Sequence, residues 1–145
     1  MGKKIQFAML LLWAFILSGC ASQQLKANIP DGVKPSNYNS FYVIHQPNDN
    51  RRLDKTISEE LKGLGYNATY GEERDIPNKI DAIVRYEDRW QWDITNYLIS
   101  LTITMRQSDE TLIATGKSFR TSLVRKEPPE MIREILNEIF SKNKS

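Results

Sequence analysis

The sequence predicts an α+β domain. It would be a two-layer sandwich in which two helices cover one face of a mixed, mostly antiparallel sheet. Three observations predict it. Leu53, Ile57, Leu61 and Leu64 recur at helical spacing, as do Met131, Ile132, Ile135, Leu136, Ile139 and Phe140. Residues 80–92, 94–106 and 111–122 are β-rich runs, the first two with alternating apolar positions. The composition, 40% apolar and 26% charged over 145 residues, is that of a globular chain and excludes collagen-like, low-complexity and disordered classes. The predicted order is β-α-β-β-β-β-α, and one-sided helices and strands of this kind bury their apolar faces against each other.

Ahead of the domain lies a different segment. Lys3 and Lys4 precede an unbroken apolar run from Phe7 to Leu17, followed by Ser18, Gly19 and Cys20. A bilayer-spanning helix needs about 20 apolar residues, so this shorter run fits the apolar core of a signal peptide. Leu17-Ser18-Gly19-Cys20 resembles a bacterial lipobox. In that class of signals the chain is cut between the residues matching Gly19 and Cys20. The cysteine sulfur carries diacylglycerol and the new amine often carries a further acyl chain such as palmitate. Cys20 is the only cysteine of the chain. Several acyl chains hold a protein where a single one anchors only marginally. Ala21 stands where an Asp would signal inner-membrane retention in enterobacterial lipoproteins. The resemblance therefore implies the periplasmic leaflet of the outer membrane, with the periplasmic face of the inner membrane as the alternative.

Removing residues 1–19 takes Lys3 and Lys4 with it. The 20 basic side chains then match the 18 acidic ones at 18, and the net charge of +2 disappears. No basic excess remains for phosphate binding, so nucleic acid is not an expected partner. Residues 20–40 are polar, contain Pro30, Gly32 and Pro35, and read as a lipidated tether. The domain is expected at 41–142, with 143–145 as a tail.

Within the domain, residues 41–45 read as a strand ended by Gln46-Pro47-Asn48-Asp49-Asn50. Asp49 or Asn50 is placed to cap the first helix, and Gly63 and Gly65 to stop it. A short strand at 66–70 follows, which implies a parallel pair with a right-handed crossover. Ile80, Ala82, Val84, Tyr86, Trp90 and Trp92 share one parity, and Tyr97, Ile99, Leu101, Ile103 and Met105 another. The turn between these strands falls near 92–95, and Gln107-Ser108-Asp109-Glu110 makes the next connection. Asp88 lies on the apolar parity and predicts a bulge, a hydrogen-bonded Asp or an exposed strand end. Pro128-Pro129 opens the last helix.

Three segments carry a further resemblance. They are Leu61-Lys62-Gly63-Leu64-Gly65-Tyr66, Ile80-Asp81-Ala82-Ile83-Val84-Arg85-Tyr86 and Thr111-Leu112-Ile113-Ala114-Thr115-Gly116, followed by the C-terminal amphipathic helix. Together they resemble a group of small envelope domains. The group comprises the N-terminal domain of the Tol-system propeller protein, its counterpart in the curli-secretion lipoprotein, and the lipopolysaccharide-assembly lipoprotein. The run from Tyr86 to Thr95 also resembles lipoproteins of Gram-negative bacteria. The resemblance implies a fold and an envelope setting, and carries no set of functional residues.

Candidate sites follow from residue chemistry. Trp90 and Trp92, with Asp88, Arg89 and Asp93 around them, form either part of the core or an interaction patch for a protein, glycan or lipid headgroup. Arg51 and Arg52 open the first helix, where they are either solvated or in reach of an anion at its N-terminus. His45 is the only histidine and has no nucleophile partner. Glu87, Asp88 and Asp93 near two tryptophans raise the thought of glycoside hydrolysis, but Glu87 and Asp88 are adjacent on a strand and face opposite sides. No phosphate loop, dinucleotide fingerprint or helical metal motif is present, and neither a metal nor a cofactor is expected. The sequence thus points to a non-enzymatic, lipid-anchored envelope protein, with the membrane at Cys20 and an envelope protein as partners. The alternative is a binder of lipid or glycan fragments through the Trp90/Trp92 end.

Overall fold

The computed structural model describes residue 2 and residues 23–142, so Gly19 and Cys20 lie outside the described residues. One six-stranded mixed sheet carries two helices on one face. The strands are β1 (Gln23–Asn28), β2 (Ser40–Ile44), β3 (Asn67–Gly71), β4 (Ala82–Asp93), β5 (Thr95–Arg106) and β6 (Leu112–Arg120). The helices are α1 (Leu53–Gly63) and α2 (Pro128–Ser141). The α+β sandwich read from the sequence is therefore observed. The strand order is β1-β6-β5-β4-β2-β3, with β2 parallel to β3 and β4 and the remaining pairs antiparallel.

The expected tether at 20–40 is corrected by β1. Gln23–Asn28 pairs with β6 along its whole length, Gln23 opposite Arg120 and Asn28 opposite Thr115. The sequence Gln-Gln-Leu-Lys-Ala-Asn is polar because it is an edge strand. Only Ala27 among its residues packs against the core, and Lys26 is a residue type that guards edges. The 3-10 turn Pro35–Asn37 and the buried ring of Pro35 belong to the domain as well.

The core lies between the helices and the inner face of the sheet. Phe41, Val43, Val84, Tyr86, Leu101, Ile103 and Met105 meet Leu53, Ile57, Leu61 and the α2 stripe of Met131, Ile132, Ile135, Leu136 and Ile139. Leu64, expected on the α1 stripe, is instead exposed, because the helix ends at Gly63 and Leu64 is its C-cap. On the opposite face Tyr42, Ile44 and Ile83 form a small second cluster with Ile76 and Ile80.

A bulge shifts the parity of β5. Arg89 faces Ser100 while Trp90 faces Leu98, so Ile99 is the extra residue. Leu98 enters the core in its place, and Ile99 is only half-buried. Helix α2 approaches the sheet tightly at Gly116 on β6. A Cβ there would collide with the Ile135 side chain and sit 2.9 Å from Ile139 Cδ1. Gly116 thus lets α2 lie flat on the sheet. Gly116→Val is expected to overpack this contact and destabilise the domain by roughly 1–3 kcal/mol, read as a lower urea midpoint. A midpoint at or above wild type would show that α2 does not rest on this glycine.

Candidate functional site

The β4–β5 hairpin carries the sequence-predicted patch. Each strand has 12 residues and the turn lies at Ile94, between the paired Asp93 and Thr95. Trp90 and Trp92 share a face by alternation but not an environment. Trp90 packs against the core and lies under the Arg51 guanidinium, 3.8 Å from the ring centroid. Its indole N–H donates to Asp88 Oδ2 at 2.7 Å, so Asp88 is hydrogen-bonded next to a bulge. Trp92 is 71% exposed, beyond the cover of the helices. Core and surface readings therefore each describe one tryptophan. Arg89 and Asp93 are exposed, as is Glu87 on the face opposite Asp88.

Ile94 at the tip is 83% exposed and holds φ at 63°, in the left-handed region. A β-branched side chain there is a true outlier, costing about 1–2 kcal/mol. A neighbouring segment reaches the same end. After β6, the 3-10 turn Ser122–Val124 presents Leu123, 86% exposed. Arg125 Nη1 then donates to Thr95 Oγ1 at 3.2 Å and its guanidinium faces the Tyr97 ring, tying this loop to the hairpin. Between loop and hairpin lies an open groove of about 300 Å³, lined by Trp90, Tyr97, Arg125, Lys126 and Glu130 among others.

Arg120, at the foot of this loop, is buried and anchors three elements. It donates to Gln23 of β1 and to Glu134 of α2, and Lys126 binds the same Glu134 carboxylate. Burial raises the Glu134 pKa, but the bonds from Lys126 and Arg120 outweigh it and hold the group below its ordinary 4.5.

The start of α1 is closed by the chain itself. Asp49 Oδ1 accepts the Arg51 N–H at 2.8 Å, and Oδ2 accepts the Leu53 N–H at 2.6 Å and the Tyr86 hydroxyl at 2.7 Å. The anion position at this helix N-terminus is thus filled by Asp49. Arg52, the N-cap residue, forms a two-bonded pair with buried Asp54, Nε to Oδ1 at 3.1 Å and Nη2 to Oδ2 at 3.0 Å. Arg51 and Arg52 are therefore engaged by Trp90 and Asp54. His45 Nδ1 lies 3.3 Å from Asp54 Oδ2. Ligand atoms of His45, Asp49 and Asp54 fall within 4.8 Å of one another, a spacing that suits a metal. The oxygens are already bonded to Arg52, Tyr86 and backbone N–H groups, and the Arg52 cation occupies the counter-charge position. The donor set therefore does not fit a divalent ion. Sequence reasoning missed this cluster because Asp49, Asp54 and Tyr86 meet only through the β2–α1–β4 packing. The one legible signal was Asp49 as a helix cap.

No family model matches the sequence, and no curated relative does either. Solved structures do. The PelC dodecamer from Paraburkholderia phytofirmans aligns over 81% of this chain and 97% of its own, with a TM-score of 0.58 at 9% identity. A point variant of the same dodecamer gives 0.57 at 10% identity. The fold of this chain is similar to that of PelC. A minor lipoprotein from Acinetobacter baumannii aligns over 72% of this chain and 91% of its own, at 14% identity and a TM-score of 0.34, too loose to carry an argument. The likeness to PelC is one of fold. No helix among the described residues is long and apolar enough to cross a membrane.

Two measurements test this geometry. Ile94→Asn, a residue tolerated at positive φ, is expected to stabilise the domain by about 1 kcal/mol in urea unfolding; destabilisation would show that the tip is not strained. Glu134 stabilises the fold above its ordinary 4.5, and that contribution is lost as pH falls through its lower folded value. Glu134→Gln should cost roughly 3 kcal/mol at neutral pH by leaving Arg120 buried without its carboxylate. It should also flatten the loss of stability on acidification below about 4.5. An unchanged acid limb would remove Glu134 from the account.

Proposed function

We propose that this chain is a lipid-anchored protein of the bacterial envelope, held through Cys20 at the periplasmic leaflet of the outer membrane. Its α+β domain serves as a binding or assembly module and not as an enzyme. The observation that carries this reading is the placement of a folded domain directly after a lipobox. Two residues, Ala21 and Ser22, separate Cys20 from Gln23, whose strand is paired from its first residue. The domain is thus built to work at a membrane surface and not at the end of a long tether.

The surface chemistry supports a binding role. The carboxylates near the tryptophans are dispersed: Asp88 is bonded to Trp90, Glu87 faces the other side, and Asp93 is exposed near the tip. The most exposed apolar side chains are gathered at one end. The PelC structures of similar fold are dodecamers, which supports reading this fold as one that assembles. A second reading, binding of a glycan or lipid fragment, is favoured by the groove beside Trp90, where Tyr97, Arg125 and Lys126 add an aromatic face and two cations.

Cys20→Ala should leave an uncleaved or unlipidated chain that no longer incorporates radiolabelled palmitate and leaves the outer-membrane fraction. Retention of label, or an unchanged distribution, would sink the anchor. Crosslinking of the lipidated protein in isolated outer membranes should give either a discrete ladder of copies or one defined hetero-complex. A species that stays monomeric at every crosslinker dose would count against an assembly role.

A further inference from the structure

Among the described residues, three large apolar side chains stand far above the rest in exposure: Trp92 at 71%, Ile94 at 83% and Leu123 at 86%. The other exposed ones, Leu25, Leu64 and Tyr70, lie between 37% and 39%. The three lie on two separate segments, yet the Arg125–Thr95 bond brings those segments together. Exposed apolar groups gathered in this way mark a surface that another phase or molecule covers.

The register says which end this is. Gln23 faces Arg120, and the next β6 residue inward, Phe119, faces Ser100 of β5. The first residue of β1 is therefore level with the bulge at Ile99. The hairpin runs about five residues further, or about 15 Å at the rise of a strand. Gln23 stands three positions after Cys20, a span that reaches at most about 10 Å. An anchor that short cannot lift an upright hairpin tip clear of the bilayer holding its lipid.

We propose that the hairpin end docks onto the bilayer that holds the Cys20 lipid, with Trp92, Ile94 and Leu123 seated at the headgroup level. The proposal rests on the lipid-anchor reading above. Tryptophan suits this depth, since its ring is apolar and its N–H finds a partner in the interface. Arg125, bonded to Thr95 beside the tip, supplies a cation for anionic headgroups. The strained Ile94 fits the same role. An isoleucine stands where Gly or Asn would hold the turn at lower cost, which keeps an apolar side chain at the outermost point.

The test uses the mature lipidated full chain in vesicles of phosphatidylethanolamine with a minority of phosphatidylglycerol. Part of the phosphatidylethanolamine carries brominated acyl chains. Flotation reports the anchor, and tryptophan emission reports the docking. Bromolipid should quench the emission, and Trp92→Phe should remove most of that quenching while leaving the Trp90 emission. Replacing an exposed side chain leaves the fold intact, and flotation is unchanged. A chain that floats but whose Trp92 emission is untouched by bromolipid and open to iodide overturns the docking and leaves the anchor standing. Shielding from both quenchers also overturns it, since a second copy or a protein partner then covers the surface. A chain that does not float fails the anchor reading, and the docking with it.

Discussion

The structure depends on a mismatch of lengths. A strand advances about 3.4 Å per residue and a helix 1.5 Å. The 12-residue strands β4 and β5 are therefore about 40 Å long, whereas the 11 residues of α1 and 14 of α2 give layers of about 16 and 21 Å. The helices roof only the half of the hairpin that joins the rest of the sheet. Trp90 stands at the margin of that roof and Trp92 beyond it. The same alternation that buries Val84, Tyr86 and Met105 must expose whatever follows once the cover ends.

Holding that overhang requires a rigid base. On one side, Gly116 lets α2 lie against β6, and buried Arg120 ties β6 to Glu134 of α2 and Gln23 of β1. On the other, the Asp49 carboxylate joins the start of α1 to the Tyr86 hydroxyl on β4. The Tyr86 phenol is pushed up in pKa by burial and then by Asp49, so it remains a donor throughout the neutral range. From the same turn Arg51 covers Trp90. β1 and the hairpin are thus fastened to one body.

Much of this was legible in the sequence, and the misses have physical causes. The helical stripe from Met131 to Phe140 and the runs at 80–92 and 94–106 are one-sided amphipathic patterns, and such patterns are local. The edge strand Gln23–Asn28 was not legible, because a strand with one partner and a wet face needs few apolar residues. Only its hydrogen bonds to β6 reveal it. Asp88 on the apolar parity points to a bulge, a hydrogen-bonded Asp or an exposed strand end. It is hydrogen-bonded, and the bulge falls on β5 at Ile99, which exchanges Ile99 for Leu98 in the core. The Asp49–Tyr86 and Asp54–Arg52 bonds join residues by packing and by a left-handed backbone at Arg52, neither of which has a sequence period.

The split between Trp90 and Trp92 carries the argument from fold to function. Parity alone offered two outcomes, both buried or both exposed, and the chain takes neither. Trp90 spends its ring on the core and on Arg51, and its N–H on Asp88, which leaves it structural. Trp92 is left without helix cover, two residues from a strained isoleucine, at the end of the hairpin to which Arg125 ties the Leu123 loop. Nothing inside the domain offsets the cost of these exposed groups. The end that bears them is also the end at which β1 begins, with two residues between Cys20 and Gln23 in the sequence. In the proposed lipid-anchored arrangement the edge strand therefore sets which way the hairpin faces, and an apolar surface that is a liability in water becomes the surface nearest to lipid.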